Sequence, residues 1–157
     1  MPPIEPLIAL LEQTERERDE IQKHTLRLRD AHAAAQARAD QLLGYRGEYE
    51  QRFAVQFREA SSIELMRSYQ GFVARLSQAV DQQAGAAQRA HVQWQRAIES
   101  LREHEVRVAS VRKLIEGRMR EMRLETDRRE QKANDELAMR AAWNRLAAST
   151  GFATLHS

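Results

Sequence analysis

Starting at Met66 and stepping by seven, the chain sets Val73, Val80, Ala87, Trp94, Leu101, Val108, Ile115 and Met122 in one column, with no polar residue among them. A seven-residue apolar repeat kept over so many turns requires a long helix whose stripe faces another helix in a left-handed supercoil. The column three positions further on is mixed. Tyr69, Leu76, Ala90, Ala97 and Val111 are interrupted there by Gln83, His104 and Arg118. A polar residue in such a seam costs stability and can fix register.

Prolines occur only at Pro2, Pro3 and Pro6, so a helix can open near Pro6 and no later proline breaks it. A weaker column follows: Leu7, Thr14, Ile21, Leu28, Ala35, Leu42, Tyr49 and Gln56, flanked by Arg18, Thr25 and Arg38. This pattern predicts helix one over about residues 5–58. Ser61 and Glu64 then form Ser-x-x-Glu, in which the hydroxyl takes a backbone N–H of the new helix and the carboxylate reaches back. The turn is expected over about 59–62 and helix two over about 62–148. Ser149, Thr150 and Gly151 should stop helix two, leaving 149–157 frayed. The whole of 1–157 then reads as a single elongated coiled-coil domain.

Long helices joined by a short turn fold back as antiparallel neighbours. One register aligns both columns: Tyr49 opposite Val73, Leu42 opposite Val80, Ala35 opposite Ala87, Leu28 opposite Trp94, Ile21 opposite Leu101 and Leu7 opposite Ile115. It centres the bend on Ser61, where the cap signal already lies. The fold class is therefore all-α: an antiparallel two-helix coiled-coil hairpin with an extended C-terminal helix. Helix one runs out opposite Ile115 to Met122, and the column beyond becomes Arg129 and Glu136. Residues from about 118 to 148 are expected to lack an intramolecular partner. Pairs such as Glu116–Arg120, Glu125–Arg129 and Glu136–Arg140 add only about 0.2–0.5 kcal/mol each, so this stretch should fray until it binds.

Beside the seam a neighbouring register matches Tyr49 with Phe72, Tyr45 with Leu76 and Leu42 with Ala79, an apolar patch on the flank of the hairpin. Exposed apolar patches mark partner sites; the competing reading is that these residues merely broaden the core. Gly44, Gly47 and Gly71 cluster here, and missing side chains let another chain approach closely.

Composition excludes several classes of function. The 157 residues carry 31% charged and 6% aromatic side chains, with 25 basic residues nearly balanced by 23 acidic ones, which suits long helices better than a globular core. There is no cysteine for a disulfide or thiolate site. No stretch has the ~20 apolar residues of a membrane span, and the N-terminus lacks the basic flank of a signal peptide. A soluble cytoplasmic protein is expected.

The strings Leu42-Leu43-Gly44-Tyr45-Arg46-Gly47-Glu48-Tyr49, Tyr69-Gln70-Gly71-Phe72 with Leu76, and Arg128-Arg129-Glu130-Gln131-Lys132-Ala133-Asn134-Asp135-Glu136 with Ala138 and Arg140 resemble the flagellar type III export family FliJ, and the similarity covers nearly the whole chain. The resemblance implies a cytoplasmic, non-enzymatic protein shaped like the central stalk of rotary ATPases and peripherally associated with the inner membrane at the export apparatus. Its implied partners are the export ATPase hexamer, met through the end carrying the chain termini, the cytoplasmic domain of the membrane export gate, and export chaperones. The gate surface would be Leu42, Tyr45, Tyr49, Phe72, Leu76 and Ala79. Arg38 and Gln83 depart at its rim, where relatives can carry a glutamine and a histidine. The ATPase surface would be Arg128, Gln131, Lys132, Asp135, Glu136 and Arg140. The charge-dense helix also has the plainer reading of a solvated face.

Chemistry of its own is not expected. There is no Gly-x-x-x-x-Gly-Lys loop, no cofactor is implied, and the histidines at 24, 32, 91, 104 and 156 lack His-x-x-x-His spacing. His32 and His91 can approach across the hairpin, but they are read as paired exposed histidines and not as a zinc site. The basic run Arg118, Arg120, Arg123, Arg128 and Arg129 is interleaved with Glu121, Glu125 and Asp127, which argues against nucleic acid. The alternatives are a virulence-type secretion stalk on the same plan and a structural dimer pairing through the seam beyond Ile115. The chain is expected to be monomeric alone and not to insert into the membrane.

Overall fold

The computed structural model describes the backbone of residues 3–59 and 62–155, and side chains within that range up to residue 150. The described residues are all-α: α1 spans Ile4–Glu59 and α2 spans Ile63–Leu155, and the two pack against each other as a hairpin. Neither helix contains a non-glycine residue with positive φ or a cis peptide. Packing divides the chain into two compact units, Gln13–Val108 and Met1–Glu12 with Ala109–Ser157.

Within the unit Gln13–Val108 the expected register is the one observed. Thr25 and Ala97 face each other, the Thr25 hydroxyl donating to the Ile21 carbonyl at 2.7 Å and lying 3.4 Å from the carbonyl of Ala97. Phe53 and Tyr69, opposite one another in the same register, stack with ring centroids 3.6 Å apart. Ala35, Ala39, Val80, Ala87, Ala97 and Val108 are buried, together with Thr14 and Thr25. Most of these side chains are small. Leu28, Leu42, Trp94 and Leu101 are only half-buried, because two helices cover a large side chain from one side and leave the other open. Their burial therefore contributes a fraction of the roughly 1.5–3 kcal/mol of a fully enclosed side chain.

The polar seam residues of this unit find acceptors instead of opening the interface. Gln83 Nε2 donates to the Ala35 carbonyl at 3.4 Å, and His104 Nδ1 donates to the Ser100 carbonyl at 2.7 Å. A buried polar group left without such a partner costs about 1–3 kcal/mol, so the two bonds explain how the mixed column is tolerated.

Helix α2 begins where the turn signal placed it. Ser61 lies outside the described residues. Ser62 is the N-cap, its Oγ accepting the Leu65 N–H at 3.0 Å, while its carbonyl accepts the Met66 N–H at 3.1 Å. Three residues after Ser62 stands Leu65, so the reciprocal glutamate of a capping box is absent from this cap; Glu64 still sits in the first turn, where the helix dipole favours an acid.

In the unit formed by Met1–Glu12 and Ala109–Ser157, Leu7 and Val111 are buried while Ile4, Leu11 and Ile115 are half-buried. Arg118 is half-buried in the seam, with Nη1 3.7 Å from Glu121 Oε2. Every residue from Met122 to Thr150 is exposed. Among the described residues none of the pairs Glu116–Arg120, Glu125–Arg129 or Glu136–Arg140 closes. The few tenths of a kcal/mol that each offers does not hold two long exposed side chains together. The helix also runs past the expected stop near Ala148 to Leu155. Ser149, Thr150 and Gly151 are weak helix formers but not breakers, and the Thr150 hydroxyl turns back to donate to the Leu146 carbonyl.

Candidate functional site

Two surfaces stand out, one in each unit. The first lies on the flank of Gln13–Val108, where Tyr45, Tyr49, Phe72 and Leu76 line an open notch of about 220 Å³. Tyr45 is 50% exposed and Phe72 39% exposed, far above what a core aromatic tolerates. The helical spacing of three and four residues puts Tyr45 and Tyr49 on one side of α1 and Phe72 and Leu76 on one side of α2. The Tyr49 and Phe72 rings meet with centroids 4.2 Å apart. Of the six residues proposed for this surface, these four come together; Leu42 and Ala79 are half-buried and do not line the notch. Gln83 lies in the seam, where the mixed column put it, and does not line the notch. Arg38 is exposed.

Sequence reasoning missed the notch's charged walls and its foundation. Glu48 and Arg52 complete the lining, one acid and one base beside an apolar floor. Behind them the rings of Phe57, Phe53, Tyr69, Tyr49 and Phe72 form a chain of contacts, with successive centroids 5.4, 3.6, 5.8 and 4.2 Å apart. The exposed Phe72 is thus the outer end of an aromatic ladder rooted in the seam. Its ring rests against that of Tyr49. The Tyr45 hydroxyl accepts a hydrogen bond from Gln41 Nε2 at 2.9 Å, which orients that ring as well.

Gly44, Gly47 and Gly71 surround this region, and all three are exposed. A Cβ added at any of them would meet nothing within 4 Å. The fold therefore does not need these glycines, although each costs a helix about 0.8–1.0 kcal/mol relative to alanine.

The second surface is the exposed part of α2. Arg128, Gln131, Lys132, Asp135, Glu136 and Arg140 are all exposed, and among the described residues none makes an ion pair or side-chain hydrogen bond. The line Arg128, Lys132, Asp135, Met139 follows helical spacing and continues into Trp143 and Leu146. Met139, Trp143 and Leu146 are 71%, 72% and 65% exposed, and with Arg140 and Asn144 the first two edge a shallow hollow. This apolar end of the charged face also went unseen in the sequence. In the same unit, Ile4, Met119, Met122, Arg123, Thr126 and Asp127 line an open groove of about 370 Å³.

The hollows are open, and no cluster of three or more metal-ligating side chains occurs among the described residues. No helix among them is long and apolar enough to cross a membrane. What the geometry offers is contact area on two helices. The fold and its surfaces thus define a two-helix coiled-coil hairpin that exposes one surface in each of its two units.

The family model described as "FliJ: Flagellar FliJ protein" matches residues 3–147. The chain belongs to the FliJ family, and is a flagellar export-related coiled-coil protein working within the type III export apparatus. No curated protein and no solved structure gives a significant match.

Proposed function

We propose that the chain is a central-stalk-like coiled coil that links the hexameric export ATPase to the cytoplasmic domain of the membrane export gate and escorts export chaperones. The observation that carries this reading is the unbroken exposure of α2 from Met122 to Thr150, a stretch of helix that its own chain approaches only at its start, where Ile4 shares a groove with Met122 and Asp127. An isolated helix is marginal in water, so a partner that encloses this one supplies the burial it lacks. In this reading the ATPase takes the face carrying Arg128, Gln131, Lys132, Asp135, Glu136 and Arg140. The charges set orientation and on-rate, and Met139, Trp143 and Leu146 add the apolar anchor that charge alone does not provide.

The gate takes the notch of Tyr45, Tyr49, Phe72 and Leu76, with Leu42 and Ala79 behind it. A preformed aromatic hollow with one acid and one base on its wall suits a single large side chain from a helical or extended segment. The protein sits in the cytoplasm, drawn to the inner membrane by the gate and not by insertion. It has no catalytic step of its own.

A pull-down against export-ATPase and gate fragments tests both assignments at once. Truncation at Gly117 is expected to abolish ATPase binding and leave gate binding intact, and Tyr45→Ala or Phe72→Ala to do the reverse. Unchanged ATPase assembly and turnover with the truncated chain would refute the role given to the exposed helix. Gate binding that survives both aromatic substitutions would refute the notch.

A further inference from the structure

We propose that His32 and His91 form a two-histidine site for a divalent transition-metal ion, bridging α1 and α2 within the unit Gln13–Val108. The site is independent of both surfaces above. The two rings project from opposite helices with centroids 5.1 Å apart and planes inclined at 56°. Two imidazoles bound tetrahedrally to one ion at about 2.0–2.1 Å place their ring centres about 5 Å apart, so the helices already hold the rings at the spacing a shared ion requires. Inclined planes let ring nitrogens converge on one point, whereas parallel stacking would aim them past each other.

Trp94 braces the pair. It stacks on His32 with centroids 5.6 Å apart and 21° between planes, and meets His91 edge-on at 6.1 Å. Bracing restricts the rings before any ion arrives, which lowers the ordering cost of binding. Both histidines are half-buried, where the sequence alone reads them as exposed and not a zinc site, and the remaining open side admits an ion and the water that completes its coordination. No third protein ligand joins them, since no cluster of three metal-ligating side chains occurs among the described residues. The site therefore follows the general affinity order for nitrogen ligands, with Cu²⁺ ahead of Ni²⁺ and Zn²⁺. Because both helices are needed to make it, an ion bound there stabilises the folded hairpin by mass action.

Trp94 supplies the readout. In the full-length chain carrying Trp143→Phe, Trp94 is the sole tryptophan, and its fluorescence is titrated with Cu²⁺, Ni²⁺ and Zn²⁺ alone. Saturable quenching by Cu²⁺ at micromolar concentration is expected, reversed by chelator and by acid, which protonates imidazoles and releases the ion. The unfolding temperature should rise with each ion and lose that rise in His32→Gln and in His91→Gln. In case either variant unfolds, imidazole NMR signals of the unaltered chain provide a second measurement. Two of the five histidines should broaden first with Ni²⁺. Quenching that persists in both variants, equal broadening of all five signals, or no binding below millimolar concentration would overturn the site.

Discussion

Replacing Gly44, Gly47 and Gly71 together by alanine should make the hairpin more stable. All three sit in regular helix without positive φ, and a new Cβ meets nothing within 4 Å at any of them. The gain comes from the unfolded chain, which loses conformational freedom, and amounts to about 0.4–1 kcal/mol per site. The triple variant should therefore gain about 1–3 kcal/mol. With a urea slope of about 1–3 kcal/mol per M for a chain of this size, the unfolding midpoint should move up by roughly 1 M at unchanged slope. Gly85→Ala is the internal comparison. Its Cβ lies 3.3 Å from Arg89 Nη1, so a flexible side chain has to move first and the gain should be smaller. The assay is urea unfolding followed by far-UV circular dichroism. A midpoint unchanged or lowered in the triple variant would mean that these glycines pack or bend the hairpin, and the argument that they leave room for a partner would fail. On the proposed function the same variant should bind the gate fragment more weakly while being the more stable protein.

Other substitutions separate the seam from the surfaces. Ser62→Ala removes the cap that accepts the Leu65 N–H and should cost about 1 kcal/mol in urea unfolding. Phe53→Ala removes the ring stacked on Tyr69; because Phe53 is half-buried, the loss should be about 2 kcal/mol, below the 3–5 kcal/mol of an enclosed phenylalanine. Tyr45→Ala, at a half-exposed position, should change the unfolding free energy by no more than about 0.5 kcal/mol while gate binding falls. Sedimentation across a concentration series should give a monomer, since the exposed face of α2 joins a short apolar end to a charged remainder; a concentration-dependent dimer would point to self-pairing.

Much of the hairpin was legible because its seam obeys one period. The register that aligns Ala35 with Ala87 was readable from two columns of residues, and the contacts of Thr25 with Ala97 and of Phe53 with Tyr69 agree with it. How far each side chain is buried was not, because heptad position says which way Leu28 or Trp94 points but not that a two-helix seam leaves its far side open. Four residues of the flank patch were legible from their three-and-four spacing. The ladder of Phe53 and Phe57 was overlooked although Tyr49, Phe53 and Phe57 recur every four residues, because the column being followed ended on Gln56. In the same way, following Arg129 and Glu136 hid Met139, Trp143 and Leu146 on the neighbouring line. The end of α2 was misjudged for a different reason: residues that are poor in a helix tell of cost, not of the alternative structure that would have to win. That Ser62 serves as an N-cap was not legible, because no pattern distinguishes between adjacent hydroxyls.

Both proposed binding surfaces depend on one chain doubled on itself in a single register. Spin labels placed at Leu28 and Trp94, one turn from Thr25 and Ala97, test it directly, because the chain contains no cysteine to compete for the label. Helix separations of 8–10 Å plus two label tethers predict a distance of no more than about 20 Å, unchanged when labelled protein is diluted into unlabelled. A longer distance, or a short one that disappears on dilution, would contradict the hairpin and with it the assignment of both binding surfaces.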